Sequence, residues 1–474
     1  MGGRHQGRRD QARVSVMPKS LQFAPLRSQY RAGHLTPVET VEEVYRRIGA
    51  RGPDHVWTSL ADRASVRSQA EALAGRIGEL DALPLYGLPF GVKDNVHVAG
   101  VPTTCGCPGY TSMPAQTAEA VRRAIAAGAI FIGKQSLDQF ATGLNGTRTL
   151  GGHCLNTFDP EIIPGGSSSG SGVAVAAGLV SFSLGSDTGG SGRVPAALNN
   201  IVGLRPTIGL VSTRGMVYNN RLFDCIPVFA LTVDDAFTVL EAIAGRDVND
   251  PVSREDADAI PLKPSFPQSF RFGIPERLEF FGDRQSAADF DRAVAGLSSL
   301  GGTACVFDFE PFRRAGELIF ESALVAERAA SYGEVLDNCA LDLVPAVASI
   351  LTRARRYSAV EAFQAHYQLS ELRRQVACML DGIDVIVTPT VPRPFRVSEM
   401  LADPITRNAE VGFYTYGVGP LDLCAISVPS RLRDDGLPFG ISLVGRAGAE
   451  ASLRALGTRF EQWTAQPSGA RQLQ

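Results

Sequence analysis

Three glycine-rich stretches carry the side chains of this sequence that could do chemistry. G-V-K-D-N at 91–95 holds Lys93, G-G-S-S-S-G at 165–170 holds Ser167, Ser168 and Ser169, and G-S-D-T-G-G-S-G-R at 185–193 holds Ser186 and Ser191. A serine hydroxyl is a weak nucleophile until a base takes its proton. Histidine is the usual base, but only His366 follows these turns, and it lies in the helical, arginine-rich run S-A-V-E-A-F-Q-A-H-Y-Q-L-S-E-L-R-R. Lysine can serve instead where burial lowers its pKa. Of the four lysines, Lys19, Lys93, Lys134 and Lys263, only Lys93 sits in a glycine-flanked loop after an apolar run, with Asp94 and Asn95 beside it to orient it. A Ser-Ser-Lys centre is the chemistry these residue types support.

Two short patterns imitate other chemistries. Gly128 to Lys134 has P-loop spacing, but Gln135 stands where a hydroxyl residue is required, and the intervening residues read as an apolar strand. Gly166 to Gly170 matches the G-x-S-x-G elbow of α/β-hydrolases, which needs a downstream acid and histidine; His366 reads as a surface or packing residue.

The elements that must position these turns alternate between helix and strand. Thr36, Pro37 and Glu39 form a capping box that opens a helix, and a second, alanine-rich helix is expected over about Ala61 to Leu80. Pro84 to Lys93 reads as a buried strand ending at Lys93. A helix over Thr117–Ala127, a strand over Ala129–Ile132 and a helix begun by Ser136 should follow. Later strands are expected at Ile383–Thr388 and Gly440–Val444, and a closing helix at Ala449–Gln462. This alternation predicts an α/β layer fold with a large mixed, mostly parallel sheet covered by helices on both faces. Residues 21–465 are expected to form one domain between tails at 1–20 and 466–474, with Asp250–Pro267 as a surface loop.

Composition narrows the rest. With 46 basic and 49 acidic residues and no basic stripe, the chain lacks the footprint of a nucleic-acid binder. The longest apolar run, Gly172–Gly185, is broken by glycine and serine and falls short of the roughly 20 residues a membrane span needs. Eight scattered cysteines read as buried thiols of a cytoplasmic protein, and C-x-C at Cys105 and Cys107 alone is a weak metal pattern. Arg4, Arg8, Arg9 and Arg13 lead into no apolar segment, so the N-terminus is not read as a signal peptide; Met17 is an alternative start.

In these motifs the chain resembles the amidase signature family, strongly from Pro84 to Pro206 and more thinly to Gly445. The resemblance implies the amidase signature fold. It makes Ser191 the nucleophile, Lys93 the base and Ser167 a relay between them, following a cis Gly166–Ser167 peptide bond. The side-chain-free glycines of the last turn let backbone N–H groups at Thr188, Gly189 and Gly190 converge as an oxyanion hole, and the flanking Asp187 and Arg193 read as a structural clamp more than as substrate ligands. No cofactor or metal is implied, and a homodimer is left open.

Within the family the chain is similar to allophanate hydrolases, in D-Q-F-A-T-G-L-N-G-T-R (138–148), L-V-S-T-R-G (210–215) and D-G-L-P-F-G (435–440). That likeness implies a small carboxylated urea or amide such as allophanate as substrate, its carboxylate gripped by Arg328 in V-A-E-R. Three features depart from it. Phe320 stands where a tyrosine is expected, Gly190 where alanine is usual, and the smaller C-terminal domain is not in the sequence. A neutral aliphatic or aryl amide, a hydrazide or a carbamate is the alternative substrate. A glutamine-dependent amidotransferase subunit, which would need a partner, is a third reading.

Overall fold

The structure is a computed structural model that describes residues 18–473, and one eleven-stranded sheet runs through it. In chain order the strands are β1 (Trp57–Leu60), β2 (Pro89–Lys93), β3 (Ile130–Gln135), β4 (Phe182–Leu184), β5 (Val202–Arg205) and β6 (Val228–Ala230). They continue as β7 (Phe270–Pro275), β8 (Gly302–Phe307), β9 (Val385–Pro389), β10 (Leu423–Leu432) and β11 (Pro438–Arg446). Their order across the sheet is β1-β3-β2-β4-β6-β5-β10-β11-β9-β7-β8.

The sheet is mixed, as expected, but it is not mostly parallel. Strand β2 pairs in parallel with β3 and β4, and β7 with β8 and β9; the other six ladders are antiparallel. Parallel neighbours need a long crossover, whereas a tight turn returns the chain antiparallel. The turn at Asp434-Asp435-Gly436 does this between β10 and β11, the longest strands of the sheet.

The parallel trio β3-β2-β4 carries the site. The helix Glu119–Ala126 connects β2 to β3, and Ser169–Ala176, buried along its whole length, precedes β4 and packs across all three strands. The Phe90 and Phe182 rings of β2 and β4 stack at 5.0 Å. A second apolar cluster gathers Phe307, Phe309 and Phe312 against Leu369 and Leu372, tying helix Glu310–Glu321 to helix Ala359–Met379.

Most local expectations match closely. Thr36 and Glu39 exchange both bonds of a capping box. The alanine-rich helix runs Arg63–Ala74, and the closing helix runs Glu450–Thr464. The helix begun by Ser136 does not form. Asp138 instead collects the N–H groups of Asn145, Gly146 and Arg148, turning the chain back into a single 3-10 turn at Gln139–Ala141 with Phe140 and Ala141 left-handed. Residues 1–17 of the expected N-terminal tail lie outside the described residues, while the carbonyls of Pro18 and Lys19 accept from Arg47. The C-terminal tail is docked through residue 473: Ala470 N–H donates to Ala176 O, and Asn200 Nδ2 donates to Pro467 O. Among the described residues no helix is long and apolar enough to cross a membrane.

Candidate active site

Lys93 ends β2, the turn with Ser186 and Ser191 follows β4, and Ser167 lies just ahead of the buried helix between β3 and β4. All three therefore meet at the carboxyl edge of the parallel trio, the edge where α/β sheets place their ligands. Lys93 Nζ lies 2.7 Å from Ser167 Oγ, which lies 2.8 Å from Ser191 Oγ. The Gly166–Ser167 peptide is cis. Ser186, which its motif alone does not single out, takes a second Lys93 bond at 2.8 Å and is held from behind by Asn95 Nδ2 at 3.2 Å. Burial in this setting pushes the lysine pKa down to about 7, although the carboxylates of Asp138, Asp224 and Asp187 oppose it. A substantial neutral fraction at physiological pH makes this amine a competent base.

The turn behind Ser191 is held by charge. Asp187 is buried between Arg193, with Nε at 3.0 Å, and Arg205, with Nη1 at 2.9 Å. Burial alone would raise this carboxyl, but the two guanidinium groups outweigh it and hold it below the usual carboxylate range. The same carboxylate accepts from the N–H groups of Gly190 and Gly192 at 2.9 Å each. The Gly190 N–H is thus committed to Asp187. Among the described residues, the N–H groups of Thr188, Gly189 and Ser191 have no hydrogen-bond partner. Tyr416 packs so closely on Gly189 that an added Cβ would meet Cδ1 of the ring at 2.6 Å, and Gly190 has φ +143°. Side chains are excluded from both positions for different reasons.

From Tyr416 the wall continues to the other sequence candidates. The Phe320 ring meets Tyr416 edge-on at 4.6 Å, and the Arg328 guanidinium lies 5.0 Å from the Phe320 ring centre. Arg328 is 1% exposed. Its Nη1 donates to Ile319 O at 2.9 Å, its Nε has no partner, and no carboxylate lies within ion-pair distance among the described residues. Burial lowers its pKa, opposed by the more distant Tyr332, Asp224, Tyr416 and Glu327. A buried cation left this open is suited to an incoming anion.

Tyr332, Asn219 and Asp224 complete the surroundings. Tyr332 stacks on Phe140 at 4.5 Å, and its hydroxyl is 3.0 Å from Thr142 Oγ1. Asn219 Nδ2 donates to Phe140 O at 2.9 Å and Thr142 Oγ1 at 2.8 Å. Asn219 and Asp224 share one turn and Tyr332 lies on a distant helix, with no motif linking them, so no spacing in the sequence points to them. The P-loop imitation folds as strand β3, and the G-x-S-x-G imitation supplies Ser167 but has no histidine beside it among the described residues. Lys134 is buried in an ion pair with Asp94 at 3.0 Å within β3, and His366 is exposed on its helix. No group of three His, Cys, Asp or Glu side chains among the described residues could hold a metal ion.

Known proteins resemble this chain in sequence and in fold. The profile of the Amidase family matches residues 39–453. Urea amidolyase of Saccharomyces cerevisiae is 38% identical over 421 residues, which are 88% of this chain and 23% of that protein. The chain therefore spans about a quarter of the length of that relative. Allophanate hydrolase of Kluyveromyces lactis superposes with a TM-score of 0.86 at 36% identity, over 92% of this chain and 72% of that one. A glutamyl-tRNA(Gln) amidotransferase subunit from an Exiguobacterium species is 32% identical over 469 residues, 93% of this chain and 96% of its own length. With the family profile matched over most of its length and relatives this similar, the chain belongs to the Amidase family.

Proposed function

We propose that the chain hydrolyses a small amide through an acyl-enzyme on Ser191. The observation that carries this reading is the unbroken relay from the buried Lys93 amine through Ser167 Oγ to Ser191 Oγ. In the neutral state the lysine lone pair accepts from Ser167, whose hydroxyl rotates to accept from Ser191. Ser191 Oγ attacks the amide carbon as its proton passes through Ser167 to Lys93. The carbonyl oxygen, now negative, is met by the open N–H groups of Gly189 and Ser191, with Thr188 alongside. As the C–N bond breaks, the relay returns the proton to the leaving nitrogen, and ammonia or an amine departs. Water then attacks the acyl ester, gives its proton to the same relay, and releases the acid with Ser191 restored. Nucleophile, base and donors all come from the chain, so the scheme assigns no cofactor or metal.

The substrate class is a small amide that bears a carboxylate, with allophanate as the type. Arg328, buried and without an ion-pair partner, supports this, as do the names of the yeast relatives. One observation favours the neutral alternative: the Phe320 ring covers one face of the guanidinium and offers no hydroxyl to a polar substrate. The amidotransferase reading would require a partner to receive the ammonia. The eight unpaired cysteines suit a reducing, cytoplasmic setting.

The test is ammonia release by the purified protein alone, across allophanate, malonamate, aliphatic amides, aryl amides and hydrazides. Preference for allophanate is the expected result. Preference for a neutral amide would keep the relay and discard the anion site, and turnover that appears only with a partner protein would favour the amidotransferase.

A further inference from the structure

Asp224 lies outside every motif, yet it is 2% exposed and fully engaged at the back of the donor turn. One carboxylate oxygen accepts the Thr188 hydroxyl in a short bond, and the other accepts the N–H groups of Asn219 at 2.8 Å and Asn220 at 3.1 Å. The segment it belongs to is anchored on every side. Phe223 O accepts from Arg205 Nη2 at 2.8 Å, the guanidinium that also pairs with Asp187, and Asp187 and Cys225 form a backbone bridge. Asn220 Nδ2 donates to Leu324 O at 3.3 Å, and Leu222 N–H donates to Glu327 at 3.1 Å, so the segment also reaches the element that carries Arg328.

Resting on the Ser191 acyl-enzyme reading, we propose that Asp224 is a positioning residue for the reaction: through the Thr188 hydroxyl it fixes the orientation of the open backbone donors at Thr188, Gly189 and Ser191. Thr188 has two handles. Its backbone faces the reacting carbonyl, and its side chain is tied to a buried acid that cannot move without breaking two backbone bonds. A donor aimed in advance stabilises the oxyanion without reorganising during the reaction, and a misaimed one forfeits much of its effect. Burial pushes the Asp224 carboxyl up to about 6, which is the behaviour of an acid held for geometry at an energetic cost. Nothing in the relay needs this carboxylate to give or take a proton.

The experiment compares wild type with Asp224→Asn, Thr188→Val, the double variant, Thr188→Ser and Ser191→Ala. It reads ammonia release from the best amide of the panel and, separately, the rate at which an alkyl fluorophosphonate labels the active serine. We expect kcat to fall about tenfold to a hundredfold in Asp224→Asn and in Thr188→Val, with KM changed less than about threefold, and labelling to slow in parallel. The double variant should be no slower than the slower single, because both changes cut one link, and Thr188→Ser should recover most of the loss seen in Thr188→Val. A merely structural role would lower the unfolding temperature without this split. If Asp224→Asn does not fold, Thr188→Val decides alone, since it exchanges only the hydroxyl for a methyl group of similar size. A Thr188→Val enzyme within twofold of wild type in kcat and labelling, or losses that multiply in the double variant, overturns the proposal. Wild type that labels at Ser191 but cleaves no amide sinks the hydrolase reading while the labelling ratios still decide the role of Asp224; labelling undiminished in Ser191→Ala overturns both.

Discussion

The two sides of the site are built on opposite electrostatic plans. Around Ser191 every buried charge has a counter-charge or donors: Asp187 sits between two arginines and takes two backbone N–H groups, and Asp94 pairs with Lys134. Around Arg328 the cation has one carbonyl, an aromatic face and an unpartnered Nε. A region whose charges are paired, even with Arg193 Nη1 and Arg205 Nε left without hydrogen bonds, can hold atoms within tenths of an ångström, which bond-making chemistry requires. An under-compensated one leaves binding energy for whatever arrives. On the proposed reading, chemistry and selectivity would thus be separable, and the second would be the easier to change.

That separation can be broken from the chemical side first. Replacing Ser191 with alanine should lower kcat/KM by about 10⁴-fold or more, with circular dichroism and thermal unfolding unchanged. Lys93→Met should cost nearly as much, and it adds a pH signature. Wild-type kcat/KM should rise with pH through about 7 as the amine loses its proton, a limb that Lys93→Met would lack. Stability has its own sign. The folded state keeps Lys93 neutral down to about 7, while the unfolded chain protonates it below its ordinary value of 10.5. Wild type should therefore lose stability relative to Lys93→Met as pH falls from 10.5 to 7, measurable by urea unfolding.

Asp187→Asn tests the compensation itself. It leaves Arg193 and Arg205 buried without their carboxylate, and unfolding measurements should show a loss of about 3–5 kcal/mol. On the other side, Arg328→Ala should raise KM for carboxylated amides by about tenfold to a hundredfold, the equivalent of a lost charged hydrogen bond, and should leave neutral amides nearly unaffected. Equal losses on both substrate types would erase the distinction between the two plans. The smallest effect is expected from Phe320→Tyr, which should improve allophanate turnover about twofold to tenfold by restoring a hydroxyl; no change, together with a silent Arg328→Ala, would remove the anionic substrate.

How far the sequence can be read divides along the same line. Lys93, Ser167 and Ser191 sit in short glycine-marked motifs because close backbone approach and tight turns leave local traces. In the Arg328 wall only Arg328 and Phe320 are reached, through the likeness around V-A-E-R; Tyr332, Asp224 and Tyr416 leave no such trace, since they arrive from different elements and only packing brings them together. The fold shows a similar split. The capping box at Thr36 is local and can be read directly, whereas β10 escapes such a reading because Pro429 interrupts its apolar run. The register shift between Pro429 and Arg431 is how the strand accommodates that proline. The expected helix at Ser136 fails because Asp138 offers its carboxylate to three backbone N–H groups, a competition that propensity alone does not register.

The docked C-terminal segment gives the molecule a handle. Ala470 bonds to Ala176 and Leu473 packs over Gly178, at the trailing end of the short helix whose leading end follows Ser167. Cleavage near residue 466 would strip both contacts from that helix at the end opposite Ser167.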